Sequence, residues 1–344
     1  MSVVESIIKQ AKKDLKAQTF DEVDYFDDAK LWISSGVPEI DLLLNTYGYP
    51  SGIMEVSGKS RSGKTTLSLH FIKEVLRNGG MPVLISTERR DNKKYAQEIG
   101  IDPKKVLIHK SINMEDGFDK IEKSVEMIRG FDSEIPIGIV WDSLGGTPTK
   151  AELEGDADDK FMATAAKVIK QNLRRLTQLF SEEKVVFFIV NQLYNKIGVM
   201  FGKKTESYGG DAIKYHSQLR FELINIKTLS MQEGREKSNI GQITKFDLQK
   251  TDFGMPFQSI DLEMLWGYGF CPSKDLLQFA FDKDVLTQKG ANGFALTKLS
   301  KYYWKKQNDF YELYIADPTF RNIIRVLLSK MVREEVKSKR GLLS

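Results

Sequence analysis

Eight consecutive residues constrain this chain more than any others: Gly58, Lys59, Ser60, Arg61, Ser62, Gly63, Lys64 and Thr65. A short apolar run at 53–56 precedes them, and at 66–76 the apolar residues Leu67, Phe71, Val75 and Leu76 recur at helical spacing. The segment therefore reads strand, glycine-rich loop, helix. Such glycines let backbone N–H groups close around an oxyanion, and the helix N-terminus adds its positive end. The pattern G-x-x-x-x-G-K-[ST] in that context predicts a cradle for a nucleotide polyphosphate. Lys64 would reach the β- and γ-phosphates, the Thr65 hydroxyl would hold Mg²⁺, and Thr66 opens the helix behind them. The bland alternative is a glycine-rich turn with no ligand, and the strand and helix flanks argue against it.

The rest of the chain bounds what that nucleotide serves. At 344 residues it can bury a large core in two or three domains. Apolar content of 41% and charged content of 28% are those of a soluble globular protein. No apolar run is long enough to span a membrane, and the first residues lack a signal-peptide pattern. The single cysteine, Cys271, excludes an internal disulfide and fits a reducing compartment. A net charge of +4 permits nucleic acid as a partner without demanding it.

Val3, Val4, Ile7, Ile8, Ala11 and Leu15 share one helical face at the N-terminus, away from Lys9, Lys12, Lys13 and Lys16. That face needs something to dock on, either the chain's own core or a neighbouring subunit. An acidic connector at 21–28 follows. Strands are expected at 82–86, 137–141, 185–190, 218–224 and 241–248, with helices at 93–99, 117–128 and 161–180 between them. The first three strands are near-continuous apolar runs, as parallel strands covered on both faces are. This is an α/β layout with a central parallel sheet, extended by antiparallel strands around 218–265. Beyond Gly267 a small α+β domain is expected. It ends in a helix carrying Phe320, Ile323, Ile324, Leu327, Leu328 and Met331, with a frayed basic terminus at 337–340.

Parallel strands deliver their carboxyl ends to one edge of the sheet, so residues there can meet the phosphate loop. Asp142 ends one such strand, where an acid holds Mg²⁺ or its water; capping the turn at Ser143 is the alternative. Glu88 follows another and could orient an attacking water, or be a solvated charge beside Arg89 and Arg90. Asn191 and Gln192 end a third, where an amide can sense a γ-phosphate. The glycine-rich run at 197–210 comes next. With Phe201, Lys203 and Lys204 it suits a polyanion, and a long loop inside a compact domain is usually functional. An acidic loop at 152–160 precedes a helix bearing Lys167, Lys170, Arg174 and Arg175, which is a solvated face or a nucleic-acid track.

The stretches GKSRSGKTTL, STERRDNKKYAQEIGID, IVWDSLGGTPTKAELEG, FFIVNQ, NKIGVMFG, YGGDAIKYHSQLR and MPFQSIDLEMLWGYG together resemble the bacterial RecA recombinases, co-linearly from about Ser34 into the C-terminal domain. NQLYNKIGVMFG is the most specific of them. The resemblance implies a RecA-like P-loop ATPase core with a central mostly parallel sheet, an N-terminal helix and a small α+β C-terminal domain. It implies an oligomerisation helix and linker at 1–33, the core at 34–268, the small domain at 269–336 and a basic tail at 337–344. The activity implied is DNA-dependent hydrolysis of ATP with Mg²⁺. The subunits would form a helical filament on single-stranded DNA, pair it with homologous duplex DNA and exchange strands.

By position, Gly58 to Thr66 and Asp142 would hold ATP and Mg²⁺, Glu88 would activate the water, and Tyr95 would stack on adenine. Gln192 would report the γ-phosphate to the main DNA loop, whose residues include Ile197, Gly198, Val199, Met200, Phe201, Gly209 and Gly210. Residues 154–161 match the first DNA loop, Lys167 and Arg174 match basic positions near DNA phosphates, and Lys214 and Tyr215 match the subunit interface. The N-terminal helix matches the segment that docks on the next subunit. A single-strand-binding protein and a loader are further implied partners. The implied location is the cytoplasm of a bacterial or phage-infected cell.

Four departures mark a divergent or phage-borne member. Lys250 is present where the family reaches ATP from the neighbouring subunit, but Asp252 stands at the second basic position. Ser86 replaces an acid, Tyr194 replaces a basic residue, and the terminus is basic where relatives are often acidic. The first departure motivates an alternative, a DNA filament scaffold with weak hydrolysis. A replicative ring helicase is a second alternative, against which stands the lack of a separate collar domain.

Overall fold

The computed structural model describes residues 2–17, 19, 31–87, 93–155, 161–195, 205–233, 236–289, 293–297 and 299–341. The chain opens with α1 (Val3–Leu15), then β1 (Trp32–Ile33), α2 (Pro38–Leu44), β2 (Tyr49–Pro50) and β3 (Gly52–Gly58). There follow α3 (Lys64–Arg77), β4 (Met81–Ser86), α4 (Lys93–Ile99), β5 (Leu107–Lys110), α5 (Met114–Phe131) and β6 (Ile137–Asp142). Next come α6 (Lys150–Glu154), α7 (Phe161–Glu182), β7 (Val185–Val190), β8 (Leu193–Asn195), β9 (Thr205–Ser207) and α8 (Gly210–His216). The long pair β10 (Leu219–Glu233) and β11 (Glu236–Thr251) leads into β12 (Ser259–Leu265) and β13 (Gly269–Cys271). The chain closes with α9 (Lys274–Asp282), β14 (Leu286–Lys289), β15 (Gly293–Leu296), β16 (Leu299–Trp304), α10 (Gln307–Ala316) and α11 (Pro318–Gly341).

A nine-stranded sheet in the order β13-β12-β11-β10-β3-β7-β6-β4-β5 carries the fold. The block from β10 to β5 is parallel, whereas β11, β12 and β13 extend it antiparallel. The expectation that every strand from 218 onward is antiparallel therefore fails at β10, whose residues 219–223 pair parallel with β3. Strand β7 shows why its sequence is apolar throughout. Val186, Phe188 and Val190 enter one core with Phe71 and Phe221, while Val185, Phe187 and Ile189 enter the other with Trp141 and Phe180. Both faces are covered by helices, so neither parity of the strand needs polar residues. Gly138 lets α3 lie close on the sheet: a Cβ there would come within 2.2 Å of Val75.

The C-terminal segments build a third core around Trp304, Phe310, Tyr314 and Phe320. Two buried arginines of α11 tie it to the main sheet. Arg325 donates to the carbonyls of Tyr268 and Phe270, each at 3.0 Å, and Arg321 lies 4.7 Å from the ring centre of Tyr268. α11 runs on to Gly341 instead of fraying at 337, with Lys339 pairing to Glu335 one turn earlier. At the other terminus a Ser2–Glu5 capping box starts α1, and none of its side chains is buried. Val3 is 77% exposed and Ile7 62%, so among the described residues the apolar face is not packed into the core. No described helix is long and apolar enough to cross a membrane.

Candidate nucleotide and nucleic-acid site

Strands β3, β6 and β7 end side by side, and their carboxyl ends deliver the phosphate loop, Asp142 and Gln192 to one edge. The loop leaves β3 at Gly58, where any Cβ would lie 2.5 Å from the Leu223 carbonyl oxygen and 2.6 Å from Ser62 Oγ. Arg61 has φ of 62° and Gly63 of 100°, which turns the chain into the first turn of α3. Lys64 is buried, and its Nζ donates to the carbonyls of Gly58 and Lys59 at 2.9 and 2.8 Å. Ser62 Oγ is buried with no hydrogen-bond partner among the described residues. A donor hydroxyl so placed, beside Lys64 and a helix N-terminus, fits an oxyanion.

Thr65 Oγ1 donates to Asp142 Oδ2 at 2.6 Å. These two oxygens are the hard ligands Mg²⁺ takes. Behind them Thr66 Oγ1 bonds the Tyr95 hydroxyl at 2.8 Å, and burial raises the Tyr95 pKa, keeping the phenol neutral. Gln192 is exposed at the end of β7, and its Nε2 donates to Ser143 Oγ at 3.4 Å. The amide thus touches the residue after Asp142.

A cavity of about 600 Å³ unites Lys64, Thr65, Asp142, Ser143 and Gln192. Its far wall includes Gln242, Met264 and Trp266, which sequence reasoning missed. Gln242, on β11, is buried; its Nε2 donates to the Arg61 carbonyl at 3.0 Å and its Oε1 accepts from the Trp266 indole at 3.4 Å. An adjoining cavity of about 410 Å³ has Tyr95 and Trp266 among its lining residues and suits a planar base. Trp266 lies in the quoted stretch MPFQSIDLEMLWGYG, but only the antiparallel extension brings it to the phosphate loop.

The other expected residues lie apart from this cavity. Lys167 and Arg174 are exposed on α7, and Lys170 and Arg174 help hold the His216 pKa down, after burial. Gly209 caps α8 with φ of 85°, where a Cβ would meet Ile213 and Ile169 within 3 Å; Gly210 follows at 53°. Lys214 pairs with Glu206 at 2.8 Å and Asp211 at 2.9 Å, which raises its pKa, and Tyr215 is 81% exposed. Lys250 Nζ donates to the Ser217 carbonyl at 2.6 Å and lies 3.6 Å from Asp252. Glu88, Ile197, Gly198, Val199, Met200 and Phe201 lie outside the described residues.

Residues 3–271 match the RecA N-terminal domain family. The chain is similar to protein RecA of Halalkalibacterium halodurans, 32% identical over 260 residues that span 75% of this chain and 72% of the relative. Protein RecA of Bacillus anthracis is 33% identical over 260 residues, 75% of this chain and 73% of its own. Protein RecA of Malacoplasma penetrans is 29% identical over 317 residues, covering 90% of this chain and 93% of the relative. With the family match spanning most of its length, the chain belongs to the RecA family.

Proposed function

We propose that this chain is an ATP- and single-stranded-DNA-dependent recombinase that forms helical filaments and carries out homologous pairing and strand exchange in DNA repair. The observation that carries the reading is the convergence of phosphate loop, Asp142 and Gln192 on one cavity, with the strand end at Gln192 continuing into the segment 196–204. The relatives carry the same name throughout, which favours neither the ring helicase nor the weakly hydrolysing scaffold.

In this reading the loop N–H groups, Lys64 and Ser62 hold the triphosphate of ATP, and Tyr95 and Trp266 flank the base. Thr65 and Asp142 would hold Mg²⁺, which when bound would supply positive charge to the phosphoryl oxygens. Glu88 orients the attacking water as general base. Gln192 answers the γ-phosphate and moves the loop containing Ile197, Gly198, Val199, Met200 and Phe201. Lys167, Arg174 and the backbone at Gly209 and Gly210 meet DNA phosphates, so affinity is salt-sensitive and sequence-tolerant. Base pairing between strands then reads homology. Lys214, Tyr215 and Lys250 act across the subunit boundary, and α1, whose apolar face is exposed, docks on the next subunit. The division at 33/34, 268/269 and 336/337 belongs to this proposal, as do a single-strand-binding protein, a loader and the cytoplasm of a bacterial or phage-infected cell.

The test is ATP hydrolysis with and without single-stranded DNA, with joint-molecule formation between that strand and a homologous duplex. Stimulation and joint molecules are expected. Their absence in folded protein with ATP and Mg²⁺ refutes the proposal.

A further inference from the structure

Asn191 leaves β7 with its side chain fully buried. Its carboxamide makes three hydrogen bonds. Nδ2 donates to Glu55 Oε1 at 2.8 Å and to the Tyr208 carbonyl at 2.7 Å, and Oδ1 accepts from the Gln192 backbone N–H at 2.9 Å. The partners belong to separate segments. Glu55 sits in β3, the strand that becomes the phosphate loop. Gln192 begins the excursion from β7, and Tyr208 closes it before Gly209.

Glu55 is only 1% exposed and is fixed from β10, where Arg220 Nε donates to its Oε2 at 2.7 Å. A buried carboxylate held by a guanidinium on one oxygen presents the other at a set position. Gly145, after Asp142 and Ser143, presses on the same group: a Cβ there would lie 2.8 Å from Asn191 Oδ1 and 3.0 Å from Tyr208 Cβ. Among the described residues the excursion is held at its stem and by the Lys214–Glu206 pair at 2.8 Å. Its stem is the pairing of Leu193, Tyr194 and Asn195 with Ser207, Glu206 and Thr205, and so short a two-stranded ribbon has marginal stability of its own. The Gln192–Ser143 contact at 3.4 Å is long for a hydrogen bond and cannot alone set the orientation.

We infer that Asn191 is a positioning residue that ties both feet of the 192–208 excursion to the strand feeding the phosphate loop, so that nucleotide state reaches the DNA-binding loop through the Arg220–Glu55–Asn191–Tyr208 chain as well as through Gln192. The inference rests on the recombinase reading above. A buried amide satisfied at all three bonds has one arrangement, and moving either foot without the other breaks one of them. Gln192 and Tyr208, the two feet, therefore respond together to displacement of β3 or of the turn at Gly145.

The experiment measures the ratio of single-stranded-DNA-stimulated to basal kcat for ATP, with melting temperature alongside. Asn191→Asp keeps the acceptor for Gln192 but loses both donated bonds and sets a carboxylate against Glu55. Its ratio is expected to fall by about tenfold, within the usual range of site-to-site coupling. The double variant Glu55→Gln, Asn191→Asp restores an amide–carboxylate pair and the original charge, but leaves the Tyr208 carbonyl without its donor. It is expected to recover the melting temperature and keep the low ratio, which a purely structural role would not produce. Gly145→Ala disturbs the group without changing charge and is expected to lower the ratio too, so the inference stays testable if Asn191→Asp does not fold. A ratio restored in the double variant, or unchanged in Gly145→Ala, overturns the inference. If the wild type shows no stimulation, the recombinase reading itself fails; if it is stimulated and the variants match it, only the coupling inference does.

Discussion

Gln242→Leu offers a direct test of how the antiparallel extension serves the nucleotide site. Gln242 reaches the cavity because β11 pairs with β12 so that Gln242 stands opposite Met264, two residues before Trp266. Its amide donates to the Arg61 carbonyl at 3.0 Å and to Thr244 Oγ1 at 2.9 Å, and accepts from Trp266 Nε1 at 3.4 Å. The Thr244 bond stays within β11 and does not bear on nucleotide. The other two pin the phosphate loop at Arg61, where φ is 62°, and hold the indole over the neighbouring cavity. One good hydrogen bond and one long one are together worth about 1.4 kcal/mol. If that preorganisation is lost, nucleotide affinity falls about tenfold. Leucine has nearly the same volume, so the packing around this buried position survives. Isothermal titration with a non-hydrolysable ATP analogue measures the affinity. Emission from Trp266, 48% exposed while Trp141 and Trp304 are buried, reports whether the indole has moved once the signal of half-buried Trp32 is subtracted with a Trp266→Phe control. A dissociation constant within about twofold of wild type, at unchanged melting temperature, refutes the reasoning.

Asp252→Lys removes the carboxylate 3.6 Å from Lys250 and adds a cation to the proposed trans face; the DNA-stimulated kcat is expected to rise about tenfold, and an unchanged kcat counts against a missing charge as the limit on hydrolysis. Burial pushes the Glu39 carboxyl up to about 7, only partly offset by the N–H of Ser273, which it accepts at 2.9 Å. The folded chain thus holds a proton the unfolded chain releases above about 4.5, so this stabilisation is complete at low pH and is lost as pH rises through about 7. Glu39→Gln should flatten the fall in melting temperature across that window, leaving a smaller slope from Asp41, which burial lifts to about 6; parallel wild-type and variant curves contradict the assignment. Phe188→Ala empties the centre of the aromatic cluster between Tyr49, Phe71 and Phe221 and should cost about 4 kcal/mol, read from urea unfolding, whereas a loss under about 1 kcal/mol shows that the core relaxes to fill the space.

What the sequence makes legible follows the reach of each interaction. Residues 185–190 and 93–99 are readable to the residue, because an apolar run covered on both faces and a short amphipathic turn are local patterns. The phosphate loop, Asp142 and Gln192 are legible as one site for a different reason: parallel strands oblige their carboxyl ends to meet. β5 is not legible, since its four residues alternate between half-buried and exposed at the edge of the sheet. The partner of β10 is not legible either. Beyond Leu223 its residues face solvent through 228, and nothing local says that 219–223 pair with a strand more than 160 positions earlier. Gln242 and Trp266 share that difficulty, because their place in the cavity depends on strand order. The basic terminus misleads in the other direction. A charge run reads as frayed, yet Lys339 and Glu335 lie one helical turn apart, and Lys283, the C-cap of α9, closes the set.

Strand register also decides how Lys250 can act. Lys250 stands opposite Arg220, and Arg220 stands opposite Glu55, three residues before the start of the phosphate loop at Gly58. That offset is about 10 Å along the strands, and two strand spacings add about 10 Å across them. The Lys250 ammonium is meanwhile bonded to the carbonyl of Ser217, on the side away from the loop. A lysine side chain of about 6 Å cannot close a gap of roughly 14 Å in its own subunit. Lys214, bound by Glu206 and Asp211 on α8, is likewise outside the cavity. A contribution of either cation to phosphoryl transfer therefore requires a second copy of the chain. On the reading proposed above, the phosphate-binding groups come from one subunit, and any charge stabilisation of the γ-phosphate by Lys250 or Lys214 would come by assembly. On the filament reading proposed above, Asp252, 3.6 Å from Lys250, would bear on hydrolysis and not on ATP binding, so hydrolysis would depend on subunit packing more steeply than binding does.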